Sequence, residues 1–286
     1  MGLRSLAAGV LATSGAVVLL GMPSTETPAA LTSALTSLPS SVAELRAPVS
    51  PTLVATLPVP ARDDDGVARA HFQPEPCAGG EVIYQGASTD RLVALSFDDG
   101  PSPTVTPRIV EVLREHGIRA TFFVLGEQAE RHPEALRALV EGGQELANHG
   151  WSHTSFRSLF PSQIEAELDR TADMIEAAGG ARPRLVRPPY GRFPESTTAL
   201  AKARGEDLVL WSVDGGDSVH VDASTIARTV VRDAEPGAII LLHDREPATL
   251  HALPLLLAGL ARRRLEVVPV SALLGRAATC RSMDTG

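Results

Sequence analysis

Between residues 91 and 269 the chain alternates short apolar runs with helix-like stretches, and this alternation leaves it few folds to adopt. Strand candidates are 91–97, 119–125, 144–148, 184–187, 207–213, 237–242 and 265–269. Between them, TPRIVEVLREHG places Ile109, Val112 and Leu113 on one helical face and stops at Gly117. PEALRALVEGG and PSQIEAELDRTADMIEAAGG open on Pro and close on paired Gly, as helices tend to do. PESTTALAKARG and PATLHALPLLLAGLARRR continue the series. Strands that alternate with helices lie parallel, joined by crossover connections. The seven candidates are fewer than a full (β/α) barrel holds, so a distorted barrel and an open doubly wound sheet both fit the pattern.

Either architecture builds its site at the carboxyl ends of the strands. Asp98 and Asp99 end the first candidate, His149 and His153 follow the third, and Arg187 and Tyr190 follow the fourth. Asp214 and Asp217 end the fifth, and His243 and Asp244 the sixth. One rim of the fold should therefore collect the ionisable groups.

His149 and His153 are four apart, a spacing that puts two imidazoles on one face if the segment makes a helical turn. With one carboxylate from another strand end they form the donor set of an open catalytic zinc site. Such a site lowers the pKa of a bound water toward ~7. Adjacent aspartates at a strand end repel and are costly to bury. A cation explains the pair if one is a ligand and the other a general base. Successive strand residues point to opposite faces, so both reach one site only if the chain turns, and Gly100-Pro101 is expected to supply the turn.

Five segments then carry a resemblance: SFDDGP (96–101), NHGWSH (148–153), RPPYG (187–191), WSVDGGD (211–217) and LLHD (241–244). In this order they resemble the motifs of the polysaccharide deacetylases of carbohydrate esterase family 4, the nodulation-type deacetylase homology domain. The resemblance implies a distorted (β/α) barrel, often with seven strands. It implies that Asp98 is the catalytic base and that Asp99, His149 and His153 hold one divalent metal ion, most simply zinc. It gives Arg187 the task of holding the base, the Tyr190 backbone N–H that of an oxyanion donor, and His243 that of general acid. Leu241 is implied as a wall of the acetyl-methyl pocket, and Asp214 as the acidic partner of His243, with Asp217 as the alternative. Trp151 is a candidate for stacking on a sugar ring, with core packing as its alternative. The chain departs from the pattern at Ser218, where the family commonly has Trp, and at Gly150, where Ser or Thr is common.

The remainder of the chain frames this domain. Residues 1–30 read as an export signal or N-terminal anchor, because Arg4 is the only charge before Glu26 and the stretch between is small and apolar. Residues 31–75 read as a Pro/Ser/Thr/Ala-rich linker and 76–286 as the catalytic domain. The two cysteines, Cys77 and Cys280, bracket that domain and are expected to pair in an exported chain. A net charge of −8 without a basic stripe argues against nucleic acid as a partner. The expectation is a secreted or surface monomer that touches a membrane only through its N-terminal segment. Its substrate would be a polysaccharide such as peptidoglycan, with chitin-type oligomers or acetylated xylan as alternatives. A glycoside hydrolase is disfavoured, since adjacent carboxylates cannot flank a bond at ~5–9 Å. An inactive glycan-binding homologue would have lost a ligand, base or acid, and none is missing.

Overall fold

A computed structural model of the chain describes residues 79–87, 90–219 and 222–275. The export segment, the linker and both cysteines lie outside the described residues.

Among the described residues nine strands form one sheet: β1 (Val82–Ile83), β2 (Leu92–Asp98), β3 (Thr121–Val124), β4 (Glu145–Asn148), β5 (Leu185–Val186), β6 (Asp207–Val209), β7 (Val213–Asp214), β8 (Ile239–His243) and β9 (Glu266–Val268). Their order is β1-β6-β5-β4-β3-β2-β8-β7, with β9 pairing the start of β2, and every pairing between them is parallel. The helices are α1 (Thr106–Glu115), α2 (Gly126–Arg131), α3 (Pro133–Glu141), α4 (Pro161–Ala177), α5 (Ser196–Arg204), α6 (Ala223–Asp233), α7 (Pro247–Arg262) and α8 (Val270–Leu273).

The sheet is curled, and its connectivity requires it. Six strand spacings separate β6 from β7, about 29 Å in a flat sheet. Only Leu210, Trp211 and Ser212 join them, a reach of at most about 14 Å. The backbone shows the closure directly. The Leu210 N–H donates to Ile83 O at one end of the strand order, and the Ser212 N–H donates to Ile239 O near the other. The Gly86 N–H reaches Gly237 O across the same seam. The parallel barrel-like expectation therefore holds and the open-sheet alternative does not. The expected count of seven strands is corrected: the run 207–213 breaks into β6 and β7 at this seam, and the short β1 precedes the first candidate.

Period-two alternation sorts the side chains. Val93, Leu95, Phe97, Phe122, Val124, Ile240 and Leu242 pack outward against the helices, with Ile109 and Leu113 of α1 and Leu253 and Leu256 of α7. Ala94, Phe123, Ala147, Leu185, Val209 and Ile239 form the inner core. Continuing that inner row toward the carboxyl ends gives Ser96 then Asp98, Arg187, and Leu241 then His243. An apolar floor thus carries a polar rim. Helix α6 was not expected from the sequence; Asp222 caps it by accepting the Thr225 N–H at 2.8 Å, and Ile226 and Val230 bury its inner face.

Candidate active site

Arg187 is the largest fully buried side chain among the described residues, and it ties the rim to the strand seam. Its Nη1 donates to Asp98 Oδ1 at 2.7 Å and to Ser96 Oγ at 2.9 Å. Its Nε and Nη2 donate to the carbonyls of Val209 and Leu210 at 3.1 and 3.0 Å. The guanidinium lies 3.9 Å over the Phe123 ring. One oxygen of the buried Asp98 is therefore fixed, and the other stands 3.7 Å from His149 Nε2.

Asp99 turns away from the strand through a left-handed backbone, φ 74°. That conformation lets adjacent aspartates face one site. Asp99 Oδ1 lies 3.4 Å from His149 Nε2 and 3.1 Å from His153 Nε2. The segment linking the two imidazoles is not the helical turn suggested by their spacing. It is a loop with left-handed residues at Gly150 (φ 77°) and His153 (φ 60°). The loop is held at several points: the Gly126 and Glu127 N–H groups reach the carbonyls of Gly150 and Trp151, and Asn148 Oδ1 accepts the Gly150 N–H at 2.9 Å.

The cluster suits a cation. One donor atom from each of Asp99, His149 and His153 lies within 4.8 Å of the other two. Asp99 Oδ1 is buried and has no hydrogen-bond partner, an acceptor that calls for a positive charge. His149 Nδ1 lies 2.6 Å from Arg187 O; since a carbonyl only accepts, Nδ1 carries the hydrogen and Nε2 is free to present a lone pair. Burial lowers the His149 pKa, but the neighbouring carboxylates of Asp98 and Asp99 raise it above its ordinary value. Burial holds His153 below its ordinary value. Burial raises Asp99, yet the surrounding histidines bring it well below the usual carboxylate range. Paired carboxylates beside two imidazoles are a setting that a divalent ion would neutralise.

His243 stands on the other side of Asp98. Its Nδ1 lies 2.8 Å from Asp217 Oδ1, and its backbone N–H donates to Asp217 Oδ2 at 2.6 Å. Thr249 Oγ1 also donates to Asp217 Oδ2. Burial lowers the His243 pKa, but the bond and charge of Asp217, aided by Asp98 and Asp99, raise it to about 9. This corrects the assignment of Asp214, which is exposed and spends Oδ1 on the Gly216 N–H at 2.8 Å. Gly215 and Gly216 turn the chain after β7 and return Asp217 beneath His243. The two aspartates are three residues apart, and only the turn distinguishes them.

Trp151 is also corrected. It is 8% exposed, with Arg170 stacked 3.7 Å from its ring centroid. Gly126 approaches its edge so closely that a Cβ there would lie 2.2 Å from the ring. Its surface is spent on the protein. The exposed ring at the rim is Tyr190, 60% exposed and 4.5 Å from the His153 ring. Leu241 is buried on the inner face next to His243, and Phe193 packs against the cluster of Phe156, Ile164 and Leu168.

An Arg-held carboxylate set between a cation-seeking cluster and a carboxylate-held imidazole has the layout of a hydrolase centre. The polysaccharide deacetylase family profile matches residues 85–209. A chitooligosaccharide deacetylase of Bradyrhizobium sp. is 35% identical over 202 residues, covering 65% of this chain and 92% of that protein. A peptidoglycan-N-acetylglucosamine deacetylase of Bacillus cereus is 34% identical over 161 residues, covering 56% of this chain; the chain spans 58% of that relative's length. Among solved structures, a family 4 carbohydrate esterase from Streptomyces lividans, in complex with acetate, superposes with a TM-score of 0.60 at 34% identity, covering 68% of this chain and all of that one. The chain belongs to the polysaccharide deacetylase family.

Proposed function

We propose that this chain is an exported, metal-dependent hydrolase that removes N-acetyl groups from GlcNAc-type polysaccharide, with peptidoglycan preferred and zinc as the cofactor. The observation that carries it is the placing of Asp98 between the Asp99–His149–His153 cluster and His243. The names of the relatives support the class of substrate, and the Bradyrhizobium relative, matched over nearly its whole length, favours chitin-type oligomers as the second choice.

Asp99, His149 and His153 would hold the ion, which when bound supplies Lewis acidity toward water and an acyl oxygen. Asp98 takes the proton of the attacking water on the oxygen that Arg187 leaves free. Oxygen bonds to the acyl carbon, and the carbonyl electrons move to its oxygen. The Tyr190 N–H donates to that oxyanion, a contribution on the order of 3 kcal/mol for one well-placed donor. His243, protonated at neutral pH and oriented through Nδ1, then gives its Nε2 proton to the nitrogen as the C–N bond breaks. Acetate and a free amine leave. Leu241, beside His243, lines the space for the acetyl methyl.

Residues 1–30 would direct export and 31–75 would space the domain from the membrane or wall. The domain acts as a monomer. Acetate release measured in parallel on peptidoglycan, chitin oligomers and acetyl-xylan tests the proposal; release from none of them, with zinc supplied, would overturn it.

A further inference from the structure

The loop between His149 and His153 is gripped by a carboxylate that belongs to no motif. Glu167 lies 14 residues beyond His153, on the face of α4 turned toward this loop. Its Oε2 accepts the N–H groups of Trp151 and Ser152, both at 2.8 Å, and its Oε1 accepts Ser152 Oγ at 2.9 Å. A Cβ on Gly150 would come within 3.3 Å of the same Oε2, so glycine lets the carboxylate seat close against the backbone.

We infer that Glu167 is a positioning residue for the metal centre, fixing the loop so that His153 converges on Asp99 and His149. This rests on the metal reading above.

The two imidazoles are secured unequally. His149 is fixed twice without Glu167, by its N–H to Val124 O at the end of β3 and by Nδ1 to Arg187 O. His153 has no such ring anchor among the described hydrogen bonds. It touches Asp99 and lies tilted against the ring of the exposed Tyr190. Its place is set by the backbone just before it, and Trp151 and Ser152 are the residues Glu167 holds. Two successive N–H groups converging on one oxygen fix the direction of the chain as it enters the left-handed turn at His153. The carboxylate also satisfies donors that the loop geometry leaves without carbonyl partners. Supporting groups of this kind, which orient a ligand without touching the ion, typically change metal affinity by about 10–100-fold.

The test is zinc affinity, measured on the full chain stripped of metal, by competition with a chromophoric chelator. Melting of the same metal-free samples reports the fold separately. Glu167→Ala is expected to weaken zinc binding by at least about 10-fold while the metal-free melting temperature stays within a few degrees. Glu167→Gln keeps an oxygen for both N–H groups and should recover most of the affinity. Glu167→Asp pulls the carboxylate back by one methylene and should lose nearly as much as Ala, which keeps the test alive if the Ala variant does not fold. Affinities of the Ala and Asp variants within twofold of the parent overturn the inference, whether or not melting changes. A parent chain that binds no zinc overturns the metal reading itself, and the two failures are thereby distinct.

Discussion

Asp98 and His243 are register partners on the neighbouring parallel strands β2 and β8, and each is gripped from behind by a group of opposite kind. Arg187 holds the carboxylate, and Asp217 holds the imidazole. Base and acid chemistry at one pH needs such opposed surroundings. Removing the Asp217 charge should therefore act on the acid. His243 has its pKa raised to about 9, so it is protonated below that pH and loses its proton above it. In Asp217→Asn, burial is left with less opposition and the pKa must fall. The alkaline limb of the kcat/KM profile should move to lower pH by at least about one unit, in step with the imidazole titration followed by NMR in the metal-free chain. An unmoved limb would assign the general acid elsewhere. Asp214→Asn, at the exposed position, should leave the limb in place.

The adjacent aspartates should fail differently when converted to amides. Asp98→Asn retains shape and the turn but loses the proton acceptor. It should lower kcat by about 10²–10⁴-fold with metal content near that of the parent. Asp99→Asn replaces an anionic ligand by a weak neutral one, so zinc affinity should fall and added zinc should restore part of the activity. Metal content measured beside kcat decides between them; loss of the ion in Asp98→Asn with retention in Asp99→Asn reverses the roles.

Much of the fold was legible because local signals agree with it. The apolar runs match β2, β3, β4, β8 and β9, and the Pro-start, Gly-stop stretches match α3 and α4. The polar strand ends, read with the carboxyl-end rule, foretold that Asp98, Asp99, His149, His153, Arg187 and His243 converge. What stayed hidden depends on turns and on distance along the chain. Nothing in WSVDGGD says where the barrel seam breaks the run at Leu210, or that the double glycine returns Asp217 rather than Asp214 to His243. Trp151 is an aromatic residue within a motif, and only the fold shows Arg170 and Gly126 covering it. Helix α6 carries its own signals in the chain, the Asp222 cap and the Ile226/Val230 spacing.

Arg187 and Asp98 form a buried ion pair, and such pairs punish the loss of one partner more than the loss of both. Arg187→Met strands the Asp98 carboxyl and should cost about 3–5 kcal/mol of unfolding free energy at neutral pH. Adding Asp98→Asn to that variant should recover part of the loss. Urea unfolding of the two single variants and the double, treated as a cycle, measures the coupling. Additive losses would show that the guanidinium stabilises the barrel through Val209, Leu210 and Phe123 alone.

Asp244 supplies the last test, through the pH dependence of stability. Its buried carboxyl lies over Gly100, where a Cβ would sit 2.0 Å from Oδ2, and it bonds Thr106 at the start of α1. Burial raises its pKa to about 7; the Thr106 bond opposes this, and the charges of Asp99 and Asp98 add to it. The ordinary value is 3.8, so between roughly pH 4 and 7 the unfolded chain has released this proton and the folded chain keeps it. More protons bound in the folded state means that stability falls as pH rises through that window and levels off above it. The contribution to the slope is at most about 1.4 kcal/mol per pH unit. Asp244→Asn keeps the shape of the neutral acid and cannot ionise. Urea unfolding of both metal-free chains from pH 4 to 8 should show the variant gaining on the parent as pH rises to about 7, then holding a constant lead. A difference between the two that does not change with pH would mean that Asp244 releases its proton in the folded chain as readily as in the unfolded one.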